Sequence, residues 1–313
     1  MGQLWSSTFP PSPKWSVKDI PDLSGKVMIV TGGNSGIGKE IIRALLTHDA
    51  KVYLAARNAE SAKATIVELK NDTGKEPIFL SLDLSSLKSV KMAAEEFMSK
   101  ERKLDTLFNN GGVMFLTSAP QADAISEDGY DIQWATNALG PWYFTHLLTP
   151  ALIIAAETSQ DTKARILFTS SIVQGKDLNW DAMKDTPARR KMSADARYGQ
   201  SKLANTVMSR EMARRYGDKG IVSMSLNPGG IKTGLQRHMP APFRFLLNLI
   251  MYPASMGALT PLWGGTSPEG ADLNGKFLVP WGRVGIMHPA AENSELGRKL
   301  WTYLEEQVKE IMD

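Results

Sequence analysis

Thr31-Gly32-Gly33-Asn34-Ser35-Gly36-Ile37-Gly38 is the stretch on which the fold turns. It follows an unbroken apolar run, Val27-Met28-Ile29-Val30, of the kind that a parallel strand buried on both faces requires. It also opens a segment in which Ile37, Ile41, Ala44 and Leu45 recur at helical spacing. Gly32, Gly36 and Gly38 permit a tight strand-to-helix turn whose backbone can approach a pyrophosphate at the helix N-terminus. With Asn34, Ser35 and Ile37 between the glycines, the run reads as a dinucleotide site. A plain turn is the weaker alternative.

Outward from this turn, short β-branched runs alternate with longer helical ones. Strands are expected at 27–31, 51–55, 78–82, 106–109, 165–169, 222–226 and 276–279, and helices at 36–47, 60–71, 86–100, 130–156, 195–216 and 294–312. The alternation predicts an α/β, single-domain Rossmann fold over 26–313: a doubly wound parallel seven-stranded sheet with helices on both faces. Nothing in the text splits it into two domains. Residues 1–25, with Pro10, Pro11, Pro13 and Pro21, read as an extended Pro-rich arm.

Composition removes whole classes of chemistry. Among 313 residues there is no cysteine, which excludes disulfide staples, a thiolate nucleophile, a Cys-ligated zinc and an iron–sulfur cluster. The four histidines, His48, His146, His238 and His288, lack metal-ligand spacing. A net charge of +3 is spread thinly, and its densest cluster, Arg189-Arg190-Lys191, is too short for a nucleic-acid stripe and reads as a solvated face. No segment reads as the 18 to 20 apolar residues of a membrane span. A cytoplasmic protein is expected, membrane-peripheral if the Met-Gly-x-x-x-Ser pattern at residues 1–6 leads to acylation of Gly2.

The end of the second strand selects the cofactor. An Asp or Glu there would bind the ribose 2′-hydroxyl of NAD; here the text runs Ala55-Ala56-Arg57-Asn58. Arg57 can pair with a 2′-phosphate, Ser35 can donate to it and Lys39 adds positive charge, so the reading is NADP(H). Catalysis is sought in Tyr198-Gly-Gln-Ser-Lys202, whose phenol and ammonium share one helix face. Tyrosine titrates near pH 10, and an ammonium at roughly 4 to 5 Å contributes on the order of 3 to 4 kcal/mol, enough to lower that pKa by about two to three units.

Taken together, these motifs resemble those of the short-chain dehydrogenase/reductase family. Thr31–Gly38, Asp83-Leu84, Asn109-Asn110-Gly111-Gly112, Asn137, Ser170-Ser171, Tyr198 with Lys202, and Asn227-Pro228-Gly229 occur in the family's order, from residue 26 to about 279. Within the Asn-Asn-Gly-Gly quartet, glycine stands where the family usually has alanine. The resemblance implies that Tyr198 is the general acid/base and that Lys202 tunes it while binding the nicotinamide ribose. Ser171 would hold the substrate oxygen and Asn137 a water leading from Lys202 to solvent. It further implies that Asp83 and Leu84 contact the adenine, Asn110 and Gly111 the adenosine side, and Pro228, Gly229, Ile231 and Thr233 the nicotinamide end. Ser171 as a loop cap and Asn137 as a helix-bending residue are the plainer readings.

The 27-residue gap from Ser171 to Tyr198, with Tyr-x-x-Ser-Lys-Leu-Ala-Asn205, is similar to the branch of retinol dehydrogenases and WW-domain oxidoreductases with their fungal homologues. That branch mostly handles lipophilic aldehydes, ketones and alcohols. Residues 238–252, which include Phe243, Leu246 and Tyr252, form an apolar run read as part of a substrate lid over about 234–265. A membrane-surface contact and a core or homo-oligomer interface compete with that reading. The expected partner is a small apolar carbonyl or alcohol, with no nucleic acid. A non-catalytic NADP(H)-binding redox sensor would be expected to lack Tyr198 or Lys202; an isomerase or dehydratase on the same fold is the other alternative.

Overall fold

Alternation along β1 (Val27–Thr31) divides the core in two. Val27 and Ile29 point into one apolar layer and Met28 and Val30 into the other, as the two-residue period of a strand demands. The molecule is described here by a computed structural model covering residues 2–115, 121–232 and 251–312. β1 is flanked by β2 (Lys51–Ala56) and β4 (Thr106–Asn109), and the full order is β3-β2-β1-β4-β5-β6-β7-β8. The remaining strands are β3 (Ile78–Ser81), β5 (Ala164–Thr169), β6 (Ile221–Leu226), β7 (Phe277–Val279) and β8 (Arg283–Val284). All pairings are parallel except β7 with β8.

The chain begins with α1 (Gly2–Thr8); α2 (Gly36–Thr47), α3 (Ala59–Thr73) and α4 (Leu87–Lys100) follow β1, β2 and β3. After β4 come α5 (Ile132–Trp134), a π-turn at Ala135–Leu139 and α6 (Gly140–Thr158). Next are α7 (Pro187–Lys191), α8 (Ala194–Tyr216), α9 (Ala254–Thr266), α10 (Pro289–Glu292) and α11 (Ser294–Met312). One core layer joins α4, α6, α8 and α11 to the sheet through Phe97, Trp142, Leu203 and Trp301; the other joins α2 and α9 through Ile41, Leu45 and Leu262. Each such fully buried aliphatic or aromatic side chain contributes about 1.5 to 3 kcal/mol. The doubly wound order places the reversal between β1 and β4, the position beyond whose strand ends open α/β sheets accept ligands.

Several expectations need correction. Among the described residues the sheet has eight strands, not seven: β8 is a two-residue antiparallel strand following a turn at Gly282, too short to show an apolar pattern. The arm is not wholly extended, because α1 docks through polar residues: the Gln3 amide donates to the Ile286 carbonyl at 2.8 Å and the Arg283 guanidinium to the Ser6 carbonyl at 2.9 Å. The run 132–158 is long and apolar enough to cross a bilayer by length and composition, but 72% of its most apolar window is buried inside the protein. Residues 254–265 of the expected lid belong to α9, packed on α2 and the sheet. Thr233, Phe243 and Leu246 lie outside the described residues.

Candidate active site

The glycine turn forms a cradle. Gly32 has φ +65 and Gly36 φ +54, values that L side chains disfavour. A Cβ on Gly38 would strike the Gly32 carbonyl oxygen and stand 2.7 Å from the Asn110 Nδ2, so only glycine lets these segments close up. Ser35 occupies the N-cap position of α2, yet its side chain makes no capping bond and the first turn carries no acid. The N-terminal N–H groups of a twelve-residue helix are therefore left to an outside acceptor, the arrangement a pyrophosphate needs. Asn34 steadies the loop, its amide donating to the Ser61 hydroxyl at 3.0 Å while its carbonyl accepts from Thr65 at 2.9 Å.

Around the cradle the expected residues take unequal parts. Arg57 is 68% exposed at the end of β2, its guanidinium 3.6 Å from the Asp83 carboxylate. Asp83 spends its other oxygen on the Ser85 backbone and hydroxyl, at 2.9 and 2.6 Å. Lys39 does not add free charge, because its ammonium pairs with Glu68 at 2.7 Å. Asn110 bridges strands: its amide donates to the Thr31 carbonyl at 2.9 Å, beside the Gly111 N–H donating to the Thr31 hydroxyl at 2.8 Å. Leu84 is buried beneath Gly111.

Across the crevice, α8 presents Tyr198 and Lys202 toward the end of β5. Helix and strand are locked by Ser170, whose hydroxyl donates to the Lys202 carbonyl at 2.7 Å. The next residue, Ser171, hydrogen-bonds the Tyr198 phenol, and its oxygen accepts the Val173 N–H at 3.0 Å. The Lys202 ammonium donates to the Thr169 carbonyl at 2.9 Å and lies 5.7 Å from the centre of the Tyr198 ring. Burial dominates both titrations. It pushes the phenol up to about 12, with Ser171 opposing weakly, and pushes Lys202 down to about 8. The downward shift expected for Tyr198 is thus not produced by the protein's own groups, since the desolvation of a buried phenolate outweighs the opposing hydrogen bond from Ser171.

Asn137 lies in the π-turn, a local widening that occurs often at functional sites. Its side chain is fully engaged: Oδ1 accepts the Val113 N–H at 2.8 Å, and Nδ2 donates to the Val113 carbonyl at 2.9 Å and the Ser201 hydroxyl at 3.0 Å. Ser201 in turn donates to the Tyr198 carbonyl at 2.7 Å, linking Asn137 to the α8 backbone. Sequence reasoning missed Ser201, although it stands three residues after Tyr198 in the same motif, and missed Thr169, whose carbonyl carries no sequence signal. Gly112 closes this end, for a Cβ there would sit 3.0 Å from Asn137 Oδ1 and 3.4 Å from Lys202 Nζ.

On the remaining side, Pro228 and Gly229 follow β6, with Gly229 at φ +93 tight against Pro280 and Trp281. Ile231 bridges to Tyr252, whose ring meets Trp281 edge-on at 5.0 Å. Tyr252 therefore anchors the segment after β6. Contacts run from the cradle through Asn110, Gly111 and Gly112 to Asn137 and Lys202, with Tyr198 and Ser171 beside Lys202 and the Arg57–Asp83 pair next to Leu84. The cluster expected as a solvated face splits: Arg190 is exposed, but Arg189 is only 2% exposed because a buried carboxylate draws it in.

Comparison with known proteins shows the family. A family model described as short chain dehydrogenase matches residues 26–242. A short-chain dehydrogenase/reductase of Armillaria gallica is 52% identical over 99% of this chain and 100% of its own. Another, from Neocamarosporium betae, is 35% identical over 100% and 94%. A crystal structure of an uncharacterized Mycobacterium paratuberculosis protein superposes with a TM-score of 0.72 at 25% identity, covering 94% of this chain and 97% of that one. Two more distant folds were crystallised with different cofactors: a Shigella flexneri short chain dehydrogenase with NADP (TM-score 0.62, 21% identity, 82% and 98% covered) and a Brucella melitensis 3-ketoacyl-(acyl-carrier-protein) reductase with NADH (0.63, 22%, 82% and 96%). With its motifs in order along one crevice and its relatives among fungal enzymes of the same kind, the chain belongs to the short-chain dehydrogenase/reductase family.

Proposed function

We propose that this protein is an NADP(H)-dependent oxidoreductase that interconverts lipophilic aldehydes or ketones and their alcohols. The observation that carries the reading is the Tyr198 phenol, bonded to Ser171 and four residues from Lys202, across the crevice from an open helix N-terminus. The nicotinamide, when bound, supplies or accepts the hydride. The α2 N-terminus and its glycine cradle suit the pyrophosphate. Arg57, with Ser35, suits a 2′-phosphate, since the end of β2 offers no carboxylate of its own.

The chain's own groups perform the acid/base work. Burial holds the Tyr198 phenol protonated at neutral pH, so it is a proton donor to a substrate oxygen as negative charge develops there. Ser171 offers a second hydrogen bond to that oxygen. Lys202, brought down to about 8, can exchange a proton near neutrality and restore the phenol after turnover. An apolar substrate is favoured by the flanking surface: Val173, two residues from Ser171, is 57% exposed, and Val113 and Ile132 pack beside the buried Phe115. The test is NADPH depletion at 340 nm across aromatic aldehydes, terpenoid ketones, retinoids, medium-chain carbonyls and polar sugars. Turnover of apolar carbonyls with NADPH over NADH is expected. Preference for sugars, or no oxidation with any substrate despite tight NADPH binding, would overturn the reading.

A further inference from the structure

Two arginines and one aspartate are buried together where a surface cluster was expected. Asp131 is 1% exposed, and its Oδ2 lies 3.0 Å from Arg189 Nε and 2.9 Å from Arg197 Nε. Its Oδ1 accepts the N–H groups of Gln133 and Trp134, at 3.0 and 3.1 Å, and so caps the short helix that leads into the turn bearing Asn137. Arg197 immediately precedes Tyr198 in α8. Its guanidinium also donates to the Ala122 carbonyl at 2.6 Å and to the carbonyls of Arg189 and Met192. Arg189 belongs to α7, in the long insertion between Ser171 and Tyr198, and reaches the Ala124 carbonyl at 3.1 Å. One carboxylate thus fastens three segments: the helix of Tyr198, the turn of Asn137 and the insertion beside the crevice.

We propose that Asp131 is a positioning residue for catalysis, acting through Arg197 and Arg189 to fix Tyr198 relative to Ser171 and Asn137. The proposal rests on the reading of Tyr198 as proton donor. A buried charge with this many ligands goes beyond what fastening two helices needs, since apolar packing serves that purpose without desolvating three ions. The Arg189 Nε–H donates to Asp131 and so fixes direction as well as distance, while Arg197 is held to Asp131 by charge and oriented by its bonds to the Ala122, Arg189 and Met192 carbonyls. The glycine cradle that suits the pyrophosphate is built from β1, α2 and Asn110, none of which the cluster's hydrogen bonds or ion pairs touch among the described residues.

Asp131→Asn tests this directly, because the asparagine oxygen can still cap the helix while its amide faces the two guanidinium groups as a donor. Arg189→Lys is the second variant, retaining charge but not the simultaneous reach to Asp131 and Ala124. In the full-length enzyme, kcat at saturating NADPH and substrate should fall about tenfold or more in each, with the NADPH Kd, read by cofactor fluorescence, within about threefold of wild type. Hydrogen exchange in the 192–205 peptide, read without substrate, should be faster in Asp131→Asn. A folded variant whose kcat stays within about twofold overturns the proposal, as does unchanged exchange in that peptide. Failure of both variants to fold also overturns it, by making the cluster an element of stability alone. A wild type that turns over no carbonyl refutes the functional reading instead, and the exchange measurement still decides the positioning claim.

Discussion

Lys202→Met should make the protein more stable and less active at once. Lys202 is 5% exposed, and its pKa falls from 10.5 to about 8 by burial alone. At about 1.4 kcal/mol per pKa unit, holding the charge inside the fold at pH 7 opposes folding by about 3 kcal/mol. The sign follows from proton binding. Between about pH 8 and 10.5 the unfolded chain keeps the lysine proton that the folded chain has lost, so wild-type stability from this group is lowest below 8 and rises to its full value by about 10.5. Methionine has a similar length, carries no charge, and leaves the Thr169 carbonyl bonded to the Asn205 amide at 3.1 Å. Tyr198 is shifted the other way, to about 12, and its stabilising contribution is lost above pH 10, but it is present in both proteins and cancels in the difference. Urea denaturation of wild type and Lys202→Met without added cofactor, at pH 7 and again near pH 10, measures that difference. The variant should be more stable by about 1 to 3 kcal/mol at pH 7, and the gap should close toward pH 10. A variant less stable at pH 7, or a difference independent of pH, would refute the burial argument for Lys202.

Arg57→Ala should weaken NADPH binding by about tenfold or more and leave NADH nearly unchanged, because a charge-assisted bond to a phosphate contributes about 1.5 to 3 kcal/mol. Isothermal titration with both cofactors checks it, and equal losses for the two would contradict the assignment. Gly38→Ala should abolish binding of both, since its methyl meets the Gly32 carbonyl and Asn110; wild-type affinity in a folded variant would remove the cradle from the account.

What could be read from the text was what depends on neighbours along the chain. The glycine turn and the Tyr198–Lys202 pair are set by spacings of two to four residues, and the buried strands by unbroken apolar runs. The missed features depend on distant partners. α9 contains Pro261, Gly264 and Gly265 and reads as a poor helix; in the fold, a Cβ on Gly265 would stand 2.5 Å from the Phe108 ring and one on Gly264 2.8 Å from Leu278, so close packing on the sheet demands the glycines. Arg189 looked solvated because its partner Asp131 lies 58 residues away. The fate of Lys202 illustrates the same limit: its attraction for the phenol follows from helical spacing, whereas the burial that dominates both groups comes from the surrounding fold.

The central claim is that the Tyr198 phenol delivers the proton. It is tested most directly by Tyr198→Phe, with NADPH depletion at 340 nm on the best carbonyl of the panel and NADPH Kd measured in parallel. Loss of the phenolic oxygen should lower kcat by at least about 100-fold, the contribution of a positioned general acid, with Kd within about threefold of wild type. Turnover near the wild-type rate in a folded, NADPH-binding Tyr198→Phe protein would contradict it.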